Sequence, residues 1–241
     1  MDYRRNTKAE GRAFSCRIKY QGRSAAVSFT GTMGEMLTLV EIFFNDNYAP
    51  HYDHTNELFA GRITHLLDLG ANIGLASLWF AFTFPDISID AYEPNPELFP
   101  LLEKNLSSFP KVRVFKEAIA GTEGNVFFNK SKYSLESSIF NARDSESVSV
   151  PSTTLDKAIE RLGGKVDLVK IDIEGAEFDA FKSSRLLPHI GAITGEAHTE
   201  QSGHTEEELR QLLSSFDMVE LYNPNKDTVF GFYAARIKKT S

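Results

Sequence analysis

The 241-residue chain has a single cysteine, Cys16, which excludes an intramolecular disulfide and agrees with a reducing compartment. Basic charge is in short supply as well. Lys and Arg number 26 against 33 Asp and Glu, and the formal net charge of −7 leaves no cationic field to hold a phosphate backbone. Nucleic acid is therefore not expected as a partner. Long hydrophobic runs are missing: residues 75–84, the most apolar stretch, are interrupted by Ser77 and Thr83 and are too short for a hydrocarbon layer of ~30 Å. Residues 1–12 carry positive charges with no apolar segment behind them, so a secretory signal is not expected either. Neither a membrane nor an internal repeat enters the picture, and cytoplasm is the default location.

What is present is a regular alternation of short apolar runs and amphipathic segments. Strands are expected at 64–69, 87–92, 111–117, 125–128, 166–172 and 190–197, with helices at 73–83, 96–108, 154–162, 176–186 and 205–216. Strands separated by helices imply a parallel sheet covered on both faces, an α/β fold. Thr205 and Glu208 form the spacing of a capping box at the start of the last helix. After it, residues 218–221 and 229–237 flank Asn223, Pro224, Asn225, Lys226 and Asp227, which reads as a closing antiparallel hairpin. Upstream, residues 13–30 are expected to fold as a hairpin around Gln21, Gly22 and Arg23, followed by a short helix over 36–44. This divides the chain into an N-terminal extension or substrate-side cap, 1–60, and one cofactor-binding domain, 61–241. Residues 129–149, rich in Ser, Asn and charge, are expected to be a long loop, either solvated or lid-forming.

The chemistry gathers at the strand ends. Leu66, Leu67, Asp68 and Leu69 run into Gly70, Ala71, Asn72, Ile73 and Gly74, a strand ending in a tight turn whose glycines allow close backbone approach to a ligand. The next strand ends in Glu93, Pro94 and Asn95, where a carboxylate can accept bonds from both hydroxyls of a ribose. A dinucleotide site would want G-x-G-x-x-G and a helix N-terminus free for a pyrophosphate. Here an acid precedes the turn. Asp68 would repel a diphosphate and attract an ammonium, so S-adenosyl-L-methionine fits better than NAD. Glu117 and Ala118, after the third strand, are placed to meet an adenine, and Asp172 and Glu174 close the fourth strand where a methyl donor and its acceptor would meet. His198 is the candidate base for an alcohol acceptor, since imidazole titrates near neutral pH. The oxygen-rich group Asp172, Glu174, Glu196 and His198 has no ligand spacing that demands a metal, and a metal-free site is expected. His51, His54, His65, His189 and His204 are scattered and read as surface or core residues.

Taken in order, Asp68 to Gly74, Tyr92 to Asn95, Leu155-Asp156, the run from Lys170 through Ile171, Asp172, Ile173, Glu174, Gly175, Ala176 to Glu177, and Glu196 to His198 resemble the FkbM family of S-adenosylmethionine-dependent methyltransferases. The resemblance covers residues 62–200, and the Lys170–Glu177 block is its most specific part. It implies a Rossmann-like class I methyltransferase sheet with an antiparallel last strand. It also implies methylation of a hydroxyl on a small molecule or glycan in natural-product or glycan tailoring, with a homodimer left open. Tyr48 matches the family's tyrosine ahead of the domain. An NAD-dependent oxidoreductase and a cofactor-binding protein without turnover are the competing readings.

Overall fold

In the computed structural model the described residues are 13–45, 63–129, 147–222 and 229–236. Tyr48, His51 and His54, the turn at 223–227 and all but the ends of the 129–149 loop lie outside them. The elements run β1 (Phe14–Tyr20), β2 (Arg23–Phe29), α1 (Met33–Phe43), β3 (His65–Leu69), α2 (Leu75–Thr83), β4 (Ser88–Tyr92), α3 (Phe99–Leu106), β5 (Val112–Phe115), β6 (Ala118–Ile119), β7 (Gly124–Asn129) and β8 (Ser147–Thr153). They continue with α4 (Leu155–Arg161), β9 (Val166–Ile171), α5 (Glu177–Ser183), β10 (Ile190–His198), α6 (Thr199–Ser202), α7 (Glu206–Leu212), β11 (Met218–Tyr222) and β12 (Val229–Ala235).

Seven strands form the central sheet in the order β11-β12-β10-β9-β3-β4-β5. From β10 to β5 all neighbours are parallel, while β12 inserts antiparallel between β10 and β11. Alternate residues of the parallel strands feed two cores. Leu66, Ile89 and Leu168 pack with Trp79, Phe80 and Leu102 on one face. Leu67, Val169 and Ile193 pack with Ile159, Phe178 and Leu209 on the other. This period-two division of apolar residues is what a sheet buried on both faces requires. Strand order reverses at β3, whose neighbours are β9 and β4, so the crevice beyond its carboxyl end is the place for a ligand.

The N-terminal extension is part of the first core. Ile18, Val27, Phe29 and Ile42 are buried with Trp79 and Phe80, and Asn105 of α3 stitches the hairpin down. Its amide oxygen accepts from Ser28 N at 2.8 Å, and its amide nitrogen donates to Ser28 O at 3.0 Å and Ile73 O at 2.9 Å. The α1 helix starts earlier than its apolar pattern indicates, because Thr32 and Glu35 form a capping box. Buried Glu35 also accepts from Thr30 and Gly31. The expected capping box of Thr205 and Glu208 is present on α7. Among the described residues no helix is long and apolar enough to cross a membrane.

Two expectations change. The strand expected over 111–117 ends at Phe115, and Ala118–Ile119 leaves the main sheet to pair with β8. Residues 147–149, expected to belong to the long loop, open β8, the middle strand of a separate three-stranded sheet β6-β8-β7. There Val148 and Val150 alternate with serines, a strand signal hidden inside Ser-rich composition.

Candidate active site at the carboxyl ends of the parallel strands

The turn after β3 is built around a close approach. Gly70 has φ +80°, and a Cβ on it would collide with the backbone carbonyl of Asp172 at the end of β9. Gly70 N and Ala71 N donate to Tyr92 O at 3.0 and 2.9 Å, tying the turn to β4 on the other side. Lys170, only 6 % exposed, extends under this turn and donates to Gly70 O at 2.7 Å. Its ammonium also lies 3.4 Å from Asp68, which is fully buried and accepts from Ser77 Oγ at 2.6 Å.

Asp68 therefore does not take the expected place. It faces Ser77 and Lys170 beneath the turn and is not part of the cavity wall, so its charge is neutralised from inside the protein. Gly74 is also displaced from the expected role. It caps α2 in a left-handed conformation, φ 91°, where a Cβ would press on Leu102 and Leu106 at 3.0–3.1 Å. That glycine serves helix packing.

Beyond the turn a cavity opens at the strand-order switch. Gly70, Ala71 and Asn72 line it from β3, Glu93, Pro94 and Asn95 from β4, Glu117, Ala118 and Ile119 from the next crossover, and Lys170, Asp172 and Glu174 from β9. Glu93 is its best-defined polar group. One carboxylate oxygen accepts from Asn72 N and the other from Asn95 N, each at 2.8 Å. Burial raises its pKa to about 7 against the opposing pull of these bonds and of Lys170. Tyr92, fully buried, stacks on Phe115 at 4.7 Å, and Arg161 lies over the same Phe115 ring while pairing with Glu117 at 2.5 Å. Thr38 and Ile42 of α1 close the cavity on the N-terminal side.

At the β9 end, Glu174 sits in the left-handed region at φ 56°, followed by Gly175 at φ 107°. That tight turn brings Glu174 Oε2 to 3.4 Å and Asp172 Oδ1 to 3.9 Å from Nε2 of His198, on the neighbouring strand β10. Nδ1 of His198 meets Oε1 of Glu177 at 3.1 Å. Glu177 is itself fully buried and holds Ile173 N and Gly175 N. Burial alone would depress the His198 pKa, but the Glu177 bond and the charges of Glu177, Asp172 and Glu174 outweigh it and push it up to about 10. Burial and the Asp172 charge raise Glu174 to about 8. Both nitrogens of His198, the base expected from the sequence, meet carboxylates rather than the open cavity.

Lys170, Glu177, Tyr92 and Asn95 were given no role by sequence reasoning. Lys170 and Glu177 bracket the most specific motif, and their placement inside an otherwise apolar strand and at a helix start was the available signal. His65 contacts Thr64 and Asp167, and His204 stacks on Phe178 at 4.5 Å, both outside the site.

A doubly wound sheet with a carboxylate-lined crevice at its switch point defines a nucleoside-cofactor protein of the Rossmann-like class. The family model described as "Methyltransferase FkbM domain" matches residues 68–219, and the chain belongs to that family. Among curated relatives, the 2-O-methyltransferase NoeI of Sinorhizobium fredii (strain NBRC 101917 / NGR234) is 25% identical over 138 residues, 50% of this chain and 57% of that protein. The match thus spans less than two thirds of that relative's length. Similar solved structures include a precorrin-6y C5,15-methyltransferase from Geobacter metallireducens GS-15, with TM-score 0.45 and 15% identity over 72% of this chain and 80% of that one. The plantazolicin methyltransferase BpumL, solved in complex with SAH, has TM-score 0.46 and 10% identity over 77% of this chain and 80% of that one.

Proposed function

We propose that the protein is an S-adenosylmethionine-dependent methyltransferase that methylates a hydroxyl group of a sugar or other small molecule. The observation that carries this reading is Glu93, a carboxylate fixed by two backbone N–H groups at the wall of the switch-point cavity. Held this way, each oxygen keeps a lone pair for a ribose hydroxyl, and the buried position strengthens such bonds. The cavity also fits the rest of the cofactor. Gly70, Ala71 and Asn72 provide a backbone cradle, Tyr92, Leu98 and Ile119 offer apolar surface for the base, and Glu117 and Ala118 lie at its edge. When bound, S-adenosylmethionine supplies an electrophilic methyl group on a sulfonium.

The residues of the chain then have mainly to position and to exclude water, which can account for a large part of a displacement reaction's acceleration. Asp172 and Glu174 face the acceptor end, with His198 behind them. Thr38 and Ile42 bound the space from the N-terminal segment, in keeping with its role as a substrate-side cap. The relative named as a 2-O-methyltransferase supports oxygen as the accepting atom.

The test is calorimetric titration with S-adenosylhomocysteine, followed by incubation with labelled cofactor and a panel of glycans. Binding with transfer of label to a hydroxyl is the expected result. Tight NAD binding without S-adenosylhomocysteine binding would overturn it, and cofactor binding with no transfer to any acceptor in the panel would favour a protein without turnover.

A further inference from the structure

Three donor atoms from two neighbouring strand ends, one each from Asp172, Glu174 and His198, lie within 4.8 Å of one another. Two features beyond proximity distinguish this group from a surface acid cluster. The first is the orientation of the imidazole. His198 is 4 % exposed, and its Nδ1 is held at 3.1 Å by Glu177, which is fully buried and anchored by two backbone N–H groups. A histidine with its proton held on Nδ1 by a buried carboxylate presents the Nε2 lone pair on the opposite side, and here that side faces Asp172 and Glu174. This carboxylate–imidazole relay is the arrangement that fixes the tautomer of a metal-binding histidine. The second is Asp172 Oδ1, which is buried yet accepts no hydrogen bond among the described residues. A buried acceptor left without a donor is costly, and a cation between it and Nε2 removes that cost.

We propose that Asp172, Glu174 and His198 form a binding site for one divalent transition-metal ion of the Mn²⁺ type at the acceptor end of the cavity. The donor set is one imidazole nitrogen and two carboxylate oxygens, a mixed set that suits first-row ions better than Ca²⁺. Distances agree. Donors about 2.0–2.2 Å from a shared ion stand roughly 3.0–3.5 Å apart in tetrahedral or cis positions, and the His198–Glu174 separation is 3.4 Å. The 3.9 Å to Asp172 closes with a small rotation of a side chain that is 37 % exposed. Three protein donors leave coordination positions open towards the cavity, where Asp172 and Glu174 form part of the wall. Resting on the methyltransferase reading for its purpose, such an ion orients the acceptor hydroxyl and lowers its pKa. In this arrangement Glu177 is a positioning residue that acts through His198.

The metal-free protein, stripped with chelator, is titrated with Mn²⁺ and followed by electron paramagnetic resonance. One ion per chain is expected, with Glu174→Gln and His198→Ala each weakening binding at least ~10-fold. Glu177→Gln should weaken it ~10–100-fold, the range seen when the group orienting a ligand is altered. S-adenosylhomocysteine titration of each variant serves as the fold control, and Glu174→Gln, at a partly exposed side chain, is the variant least exposed to misfolding. No Mn²⁺ binding to the wild type, or binding unchanged in both Glu174→Gln and His198→Ala, overturns the proposal. If S-adenosylhomocysteine binds while Mn²⁺ does not, the ion site fails and the methyltransferase reading stands. If Mn²⁺ binds at these residues while the cofactor does not, the reverse holds.

Discussion

Replacing Glu93 by Gln removes one titrating group from the centre of the cavity and changes little volume. In the folded protein burial raises its pKa from 4.5 to about 7, so between these values the folded state keeps a proton that the unfolded chain has lost. The sign follows. Stability contributed by the protonated carboxyl is fully present below pH 4.5 and is lost as pH rises through about 7. A displacement of this size corresponds to roughly 3 kcal/mol across that window. Urea unfolding at pH 5 and pH 8 should therefore show the stability of wild type relative to Glu93→Gln falling by an amount of this order. Cofactor binding should run the other way, because ribose hydroxyls bond best to the ionised carboxylate. Wild-type affinity for S-adenosylhomocysteine should rise as pH climbs towards 7 and flatten above it. At pH 8 the variant should bind more weakly by ~1.5–3 kcal/mol, the worth of a bond to a charged group, or roughly 10- to 150-fold. Its affinity should also lose this step in pH. A wild-type affinity that is flat from pH 6 to 8, or a step that survives in Glu93→Gln, would refute the assignment of Glu93 to the cofactor.

Gly70→Ala places a Cβ against the Asp172 carbonyl at φ +80°, so thermal unfolding should shift down sharply, from about 1–3 kcal/mol of backbone strain plus the collision; an unchanged Tm would contradict the turn geometry. Lys170→Met leaves Asp68 buried without its cation and should cost ~3–5 kcal/mol in denaturant unfolding, most of it recovered by adding Asp68→Asn. Strictly additive effects in that double-mutant cycle would show the two groups are not coupled. Asn105→Leu strips the buried Ser28 amide and two carbonyls of their partner and should cost about 3 kcal/mol. A loss near zero would mean that the hairpin is held by its apolar residues alone.

The sheet was legible because each parallel strand is a short apolar run bounded by a turn residue, and the helices between them carry their own start signals, as Thr205 and Glu208 illustrate. Strand ends were less so. A continuous strand through Lys116 and Glu117 satisfies local propensity, yet the chain breaks there because Glu117 turns to pair with Arg161 of α4, a partner 44 residues away. β8 escaped for a related reason. Its two valines gain strand character only by lying between β7 and β6, and nothing in a Ser-rich segment announces those partners.

Within the site, what could be read was which residues stand at strand ends, and what could not was which way their side chains face. Asp68 and Glu93 are both acids near the ends of adjacent strands, but Asp68 lies inside β3 opposite Ala91, whereas Glu93 follows the end of β4, two residues further along. One lies beneath the turn against Lys170 and Ser77, the other at the cavity wall against two backbone N–H groups. The two-residue offset sets the difference, and Lys170, opposite Asp68 on β9, neutralises the deeper acid from within. The same logic applies to His198. Its spacing after Glu196 suggests a base, and three carboxylates from the Asp172–Glu177 segment converge on its two nitrogens. Function at this strand end is therefore set by the left-handed turn at Glu174 and Gly175, which folds an acidic segment back onto a histidine from the neighbouring strand.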